Sequence, residues 1–243
     1  MKDKPKIQNA IIIGGTSGIG RELARQLCGR GVRVAVTGRR RELLDELAQE
    51  SGQKCLARYM DVSQFKEARE CLADIIMELG DVDLIIISAG TGFIDPEHAW
   101  DKEKTTIDVN VTGFAAIANA AFRYFLERGR GRLVGISSIA AIRGGEVPAY
   151  FASKAFVRNY LQGLRRIAAK RKSDVIVTEV MPGFVDTAMA KGPGLFWVAP
   201  VEKAARQILT AIDKGKTFAY ITKRWRLVAW VLKLLPDSLY HKI

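Results

Sequence analysis

Residues 10–24 read AIIIGGTSGIGRELA. An apolar run rich in β-branched residues, Ala10–Ile13, meets a glycine cluster, and Glu22, Leu23 and Leu27 follow at helical spacing. The stretch predicts a strand, a tight turn and the start of a helix. Glycines let the backbone approach a ligand closely, and a helix start offers unpaired N–H groups and the positive end of a dipole. A phosphate is the natural guest. The spacing over Gly14, Gly18 and Gly20 is G-x-x-x-G-x-G. A nucleotide triphosphate loop needs Gly-Lys-Ser/Thr, whereas Gly20 is followed by Arg21 and Glu22, and the fingerprint G-x-G-x-x-G does not fit either. A glycine turn by itself is as readily structural, so the rest of the chain decides its meaning.

Outward from that loop, apolar runs alternate with amphipathic stretches. AIIIG, VRVAVTG, CLARYMD, DLIIISAG, RLVGISS, VIVTEVMPG and TFAYIT read as strands. Helical patterns fill 18–29, 40–50, 64–79, 99–127, 150–172 and 200–213. Near-continuous hydrophobic strands separated by helices predict a parallel sheet covered on both faces, an α/β, doubly wound, seven-stranded Rossmann-like fold. No linker, low-complexity block or repeat interrupts the alternation across 243 residues, so a single domain over 1–222 is expected, with an apolar and basic extension at 223–243.

Ligands of such sheets bind beyond the carboxyl ends of the strands. After the second strand comes Thr37-Gly38-Arg39-Arg40-Arg41. An acidic residue here would bond the 2′-hydroxyl of NAD. Glycine followed by arginines leaves room and charge for a 2′-phosphate, which points to NADP(H) in preference to NAD(H). Asp61 and Val62 follow the third strand, where a carboxylate can accept from an adenine amino group or simply cap a helix. The fourth ends in Ser88-Ala89-Gly90, small enough for a ring and ribose to lie against the backbone. The fifth delivers Ser137 and Ser138, and AYFASKAF then sets Tyr150 and Lys154 four apart on one helix face. A nearby positive charge favours a phenolate, so the pair suits acid–base work.

Taken together and in order, GGTSGIG, SAG, DVN, ISS, YFASK and MPGFVDT resemble the short-chain dehydrogenase/reductase family over residues 7–222. The resemblance implies a hydride transfer between a nicotinamide and a ketone, aldehyde or secondary alcohol. It assigns the cofactor to Gly14, Thr16, Ser17, Gly18, Ile19 and Gly20, with Arg39 and Arg40, Asp61 and Val62, Ser88, Ala89 and Gly90, and Asn110, Tyr150 and Lys154. Asn110, Ser138, Tyr150 and Lys154 match the catalytic tetrad. Tyr150 would exchange the proton, Ser138 fix the substrate oxygen, Lys154 hold the ribose, and Asn110 support a relaying water. Pro182, Gly183, Val185 and Thr187 match the turn that orients the nicotinamide. Three departures stand out: Ile13 replaces a threonine, Ile87 and Ser88 replace two asparagines, and Ser138 lies twelve residues before Tyr150, which keeps Ser137 open as an alternative. A non-catalytic NADP-binding regulatory or scaffold protein is the competing reading; a sugar-nucleotide epimerase would need a longer substrate domain.

Residues 186–200, DTAMAKGPGLFWVAP, match the family's mobile lid, and Leu195, Phe196, Trp197 and Val198 suggest a lipophilic substrate unless the loop packs on its own core. Charge is uneven. Residues 1–122 carry 16 Lys/Arg against 18 Asp/Glu, 123–172 twelve against two, and 191–243 ten against three. No zinc finger, RNA-binding aromatic pattern or basic zipper accompanies the basic half, so nucleic acid is not an expected partner. Three cysteines without a C-x-x-C pair argue against a metal site or a disulfide framework. MKDKPK runs into the first strand without a signal-like segment, and no run of about 20 apolar residues occurs, so a cytoplasmic protein is expected. The extension KRWRLVAWVLKLLPDSLYHKI is apolar nearly all round and flanked by cations. It is expected to contact a second subunit, the substrate pocket or, peripherally, a membrane; the family likeness implies a homodimer or homotetramer through the helices 99–127 and 150–172.

Overall fold

The computed structural model describes residues 6–52, 55–190 and 194–240. Residues 1–5, residues 191–193 of the expected lid and residues 241–243 of the extension lie outside the described residues. Seven parallel strands form one sheet: β1 (Asn9–Ile13), β2 (Arg33–Gly38), β3 (Cys55–Tyr59), β4 (Leu84–Ile87), β5 (Arg130–Ile136), β6 (Asp174–Pro182) and β7 (Phe218–Ile221), in the order β3-β2-β1-β4-β5-β6-β7. The order reverses between β1 and β4, the topological switch point at which a crevice opens in this architecture.

Among the described residues the helices are α1 (Gly18–Gly29), α2 (Arg41–Glu50), α3 (Phe65–Leu79), α4 (Trp100–Ile107), α5 (Phe114–Arg128), α6 (Pro148–Lys170), α7 (Val201–Asp213), α8 (Trp225–Leu234) and α9 (Asp237–Tyr240). Successive side chains of β1 point to opposite faces. Ala10 and Ile12 join Leu23, Leu27, Leu44, Val36 and Ile208 in the layer under α1, α2 and α7. Ile11 and Ile13 join Leu72, Ile75, Phe125 and Leu161 under α3, α5 and α6. Both layers exclude water, which is why the strands carry no polar alternation.

The long helix expected over 99–127 is not continuous. A π-helical turn, Asp108–Gly113, separates α4 from α5. Valines and a threonine weaken the regular ladder there, and Gly113 packs so closely on the loop after β3 that a Cβ would lie 2.5 Å from the Val62 carbonyl oxygen. Asn110 sits within this turn, re-aimed by the extra residue. The helix expected from 150 begins at Pro148, because proline fits the first turn, where its missing N–H costs nothing.

Candidate active site

The glycine loop folds back on the switch point. Gly14 and Gly15 both donate to Thr37 O, at 3.0 and 2.9 Å, while Ser88 and Ala89 both donate to Ile13 O at 2.8 Å. Gly14 has φ +85°, and a Cβ there would lie 2.4 Å from Ala89 N. A Cβ at Gly20 would lie 2.1 Å from Gly14 O. Only glycine fits at either place. The α1 N-terminus receives no side-chain cap and has no acidic residue in its first turn, so its positive end is not neutralised locally. Ile19 packs partly on the core, and Gly18 meets the Thr187 methyl, bringing the root of the lid to the start of α1.

At the far end of the loop, Arg40 donates to Thr16 Oγ1 at 2.7 Å and to Ser17 Oγ at 2.6 Å. Arg39 lies 3.8 Å from Asp61 Oδ2 and is more than half exposed. Asp61 Oδ1 accepts from the Ser63 N–H and hydroxyl at 3.0 and 2.7 Å, an Asx turn ahead of α3 rather than its N-cap. Arg41 is drawn aside to the Tyr59 ring, 4.4 Å away. Two of the three arginines therefore border the cradle.

On the other side of the crevice, β5 ends in two serines with different fates. Ser137 is buried, and its hydroxyl donates to Glu179 Oε1 at 3.0 Å, with Val180 O at 3.1 Å. Ser138 is half-buried and caps a short 3-10 turn (Ile139–Ala141) by accepting from Ala140 N, with its hydroxyl near enough to the Tyr150 phenol to influence it. Of the two hydroxyls, Ser137 is the one tied across the sheet to Glu179. Burial pushes the Tyr150 phenol up, with the Ser138 hydroxyl acting in the opposite direction. Lys154 is buried, donates to Ile136 O at 3.3 Å, and lies 5.6 Å from the Tyr150 ring centroid. Desolvation lowers its ammonium to about 8.

Asn110 is locked. Its Oδ1 accepts from Thr91 N at 2.8 Å, while its Nδ2 donates to Thr91 O at 2.7 Å and to Ser153 Oγ at 3.0 Å. Both amide hydrogens are thus engaged, and the carboxamide ties the loop after β4 to α6. Ser153 completes the link by donating to Tyr150 O at 2.7 Å. Sequence reading passed over Ser153, Thr91 and Glu179; Ser153 was visible inside YFASK, since serine three residues on can bond back along a helix. Gly90 lies against Lys154 Nζ and Asn110 Oδ1, and Gly92 against the Tyr150 ring, where a Cβ would fall 2.6 Å from Cδ2.

Aromatics close the side of the crevice near the loop after β6. Val185 and Ala199 form a parallel bridge, Asp186 N donates to Ala199 O and Ala199 N to Phe184 O, which pins both ends of the lid. Trp225, fully buried, stacks on Phe196 at 5.1 Å and meets Phe184 and Trp197 edge-on at 5.2 and 6.3 Å. A Cβ at Gly183 would lie 2.0 Å from the Trp225 ring. Glycine is thus required in the turn after Pro182 by the extension, a reason the motif alone does not reveal. The extension then turns back: Arg143 pairs with Asp237 at 2.8 Å and donates to Leu235 O, while Tyr240 donates to Gly144 O. The C-terminal segment therefore braces two loops of its own chain, the lid and the loop that joins Ser138 to Tyr150.

The crevice suits a dinucleotide: Gly14 and Gly20 let the loop backbone pack closely on Ala89 and on itself, the uncapped start of α1 can receive an anion, and Arg39 and Arg40 stand at the rim. A profile described as short chain dehydrogenase matches residues 8–194. An oxidoreductase of Myxococcus xanthus is 38% identical, over 96% of this chain and 94% of its own length. The NADP-dependent 3-hydroxy acid dehydrogenase YdfG of Salmonella typhi is 33% identical over 72% and 71%. The closed form of serine dehydrogenase complexed with NADP+ superimposes with a TM-score of 0.79 at 25% identity, covering 88% of this chain and 94% of that one.

Proposed function

Because the chain belongs to the short-chain dehydrogenase/reductase family, oxidoreductases acting on CH–OH and C=O groups of small molecules, we propose that it uses NADPH to reduce a lipophilic ketone or aldehyde, with Tyr150 as the proton donor. One observation carries the reading: buried Lys154 stands 5.6 Å from the Tyr150 ring, with the Ser138 hydroxyl near enough to the phenol to act on its protonation. In this assignment Gly14, Thr16, Ser17, Gly18, Ile19 and Gly20 hold the pyrophosphate, and Arg39 and Arg40 the 2′-phosphate. Asp61 and Val62 line the adenine end. Ser88, Ala89 and Gly90 flank the sugar, Lys154 bonds the nicotinamide ribose, and Pro182, Gly183, Val185 and Thr187 orient the nicotinamide. Bound there, NADPH supplies the hydride.

The chain's own residues handle the oxygen and the proton. Ser138 donates to the carbonyl oxygen and holds it beside Tyr150. Burial keeps Tyr150 protonated at neutral pH, as reduction requires, and the phenol gives its proton to the developing alkoxide. Lys154, cationic below about 8, favours the phenolate left behind. Asn110, tied to Thr91 and Ser153, fixes the wall against which Lys154 and Tyr150 stand. The preference for NADPH rests on the two arginines, since the fold accommodates either cofactor. A homodimer or homotetramer through α4, α5 and α6 belongs to the same reading, and light scattering in solution measures it.

The test is a panel of lipophilic ketones and aldehydes followed by NADPH absorbance. Tyr150→Phe is expected to lower turnover roughly 10²–10⁴-fold while leaving NADPH affinity unchanged. Undiminished turnover in that variant removes Tyr150 from the mechanism.

A further inference from the structure

Helix α8 is apolar on two opposite sides. Trp225 and Ala229 are buried against the domain, with Val228 and Leu232 half-buried beside them. Leu227, Trp230, Val231 and Leu234 recur at i, i+3, i+4 and i+7 and form a second stripe, 66, 65, 60 and 70% exposed. Arg226 and Lys233, seven residues apart and exposed, occupy one flank between the stripes. At the N-terminal end of α8 the lid adjoins it through the Trp225 stack, with Phe196 and Trp197 still 47 and 42% exposed. Arg224 ties the two together, donating to Trp197 O at 2.9 Å with its guanidinium 5.1 Å from the Trp197 ring.

We propose that this face docks onto the surface of an anionic phospholipid bilayer. The helix would lie in the plane of the interface, with Leu227, Trp230, Val231 and Leu234 reaching the acyl boundary. Lys223, Arg226 and Lys233 would meet the headgroup phosphates. Ten residues of helix extend about 15 Å, half a hydrocarbon core, and among the described residues no helix is long and apolar enough to cross a membrane. Charge selects the occupant. Residues 223–235 contain no acidic residue, so a second copy of the stripe would offer α8 no partner for its cations, whereas an anionic lipid surface does. Docked in this way, the lid faces the lipid phase, from which a lipophilic carbonyl compound would enter. That consequence, unlike the docking itself, rests on the reductase reading.

Flotation of the full chain with phosphatidylcholine vesicles containing about a third phosphatidylglycerol tests the docking without cofactor or turnover. The protein is expected to float with these vesicles and to remain behind with phosphatidylcholine alone. Arg226→Gln with Lys233→Gln should lower partitioning roughly 30-fold, at about a fivefold loss per cation. Trp230→Glu with Leu234→Glu should abolish it while leaving the thermal midpoint unchanged, because both side chains are exposed. Absence of flotation by the parent protein overturns the proposal, as does flotation of the glutamate pair equal to the parent. If the parent does not float and the glutamate pair has a smaller particle mass in vesicle-free solution, the stripe is instead a contact between copies of this chain.

Discussion

The proposed cofactor end and the proposed substrate end of this crevice are built by opposite means. At the proposed cofactor end, the loop residues follow a strand or open a helix, and the missing side chains of Gly14 and Gly20 let the backbone close on itself. At the substrate end, side chains from three distant segments, Phe184, Phe196 with Trp197, and Trp225, interlock to form the wall. The first construction places ligand groups through backbone that the sheet already holds rigid. The second depends on packing, which tolerates replacement and lets the shape of the substrate end vary while the chemistry at Tyr150 stays fixed.

Breaking the wall should have the largest effect on stability. Trp225→Ala removes the ring that joins Gly183, the lid and the extension, and is expected to cost about 3–5 kcal/mol by thermal or denaturant unfolding. Trp225→Phe keeps a ring and removes an indole N–H that is buried without a hydrogen-bond partner among the described residues, so it should cost clearly less. Equal losses in the two variants would show that packing is not what the tryptophan contributes.

Changes at the cofactor end should instead leave stability alone and act on ligand affinity. Arg39→Asp is expected to weaken NADPH binding by about 1.5–3 kcal/mol, roughly 10- to 100-fold, with little change for NADH; fluorescence titration with both cofactors measures it. Equal weakening of both cofactors would detach Arg39 from the 2′-phosphate. The pH dependence sharpens the assignment of Lys154. Its folded value is depressed to about 8, so its charge is present below that pH and lost above it. Reductive kcat/KM should therefore fall as pH rises through about 8, approaching tenfold per unit; a profile level to pH 10 would separate the rate from Lys154.

The smallest effect tests the departure at Ile13. Ile13 pairs in register with Ile87, and the two lie on the same face of the sheet, in the layer under α3 and α5. Two positions at which the chain departs from the family's threonine and asparagine are thus neighbours, and together they replace a polar pair with an apolar one. Ile13→Thr alone is expected to cost about 1 kcal/mol of stability and to leave turnover unchanged. A rise in turnover would show that the hydroxyl has a role that this chain gave up.

These contrasts also explain what could be read in the residues alone. The strand-loop-helix over 10–24, the alternation of buried strands with helices, and the pairing of Tyr150 with Lys154 depend on local spacing, and local spacing survives as written. The π turn at Asp108–Gly113 was not legible, because it arises from the contact of Gly113 with Val62, about fifty residues away in the chain. The different surroundings of Ser137 and Ser138 were not legible in the spacing, because they come from Glu179 across the sheet, which takes the Ser137 hydroxyl. The bracing role of Trp225 was equally hidden: the sequence shows an apolar helix, and only the fold shows which side Gly183 makes room for.

The central claim is hydride transfer to a carbonyl group under control of Tyr150. Its most direct measurement uses NADPH deuterated at the transferring C4 position and a carbonyl substrate drawn from the panel, with the alcohol product examined by mass spectrometry. The account predicts deuterium on the carbinol carbon with the parent protein and no labelled product with Tyr150→Phe. Tight NADPH binding with no labelled alcohol from any carbonyl compound would contradict it.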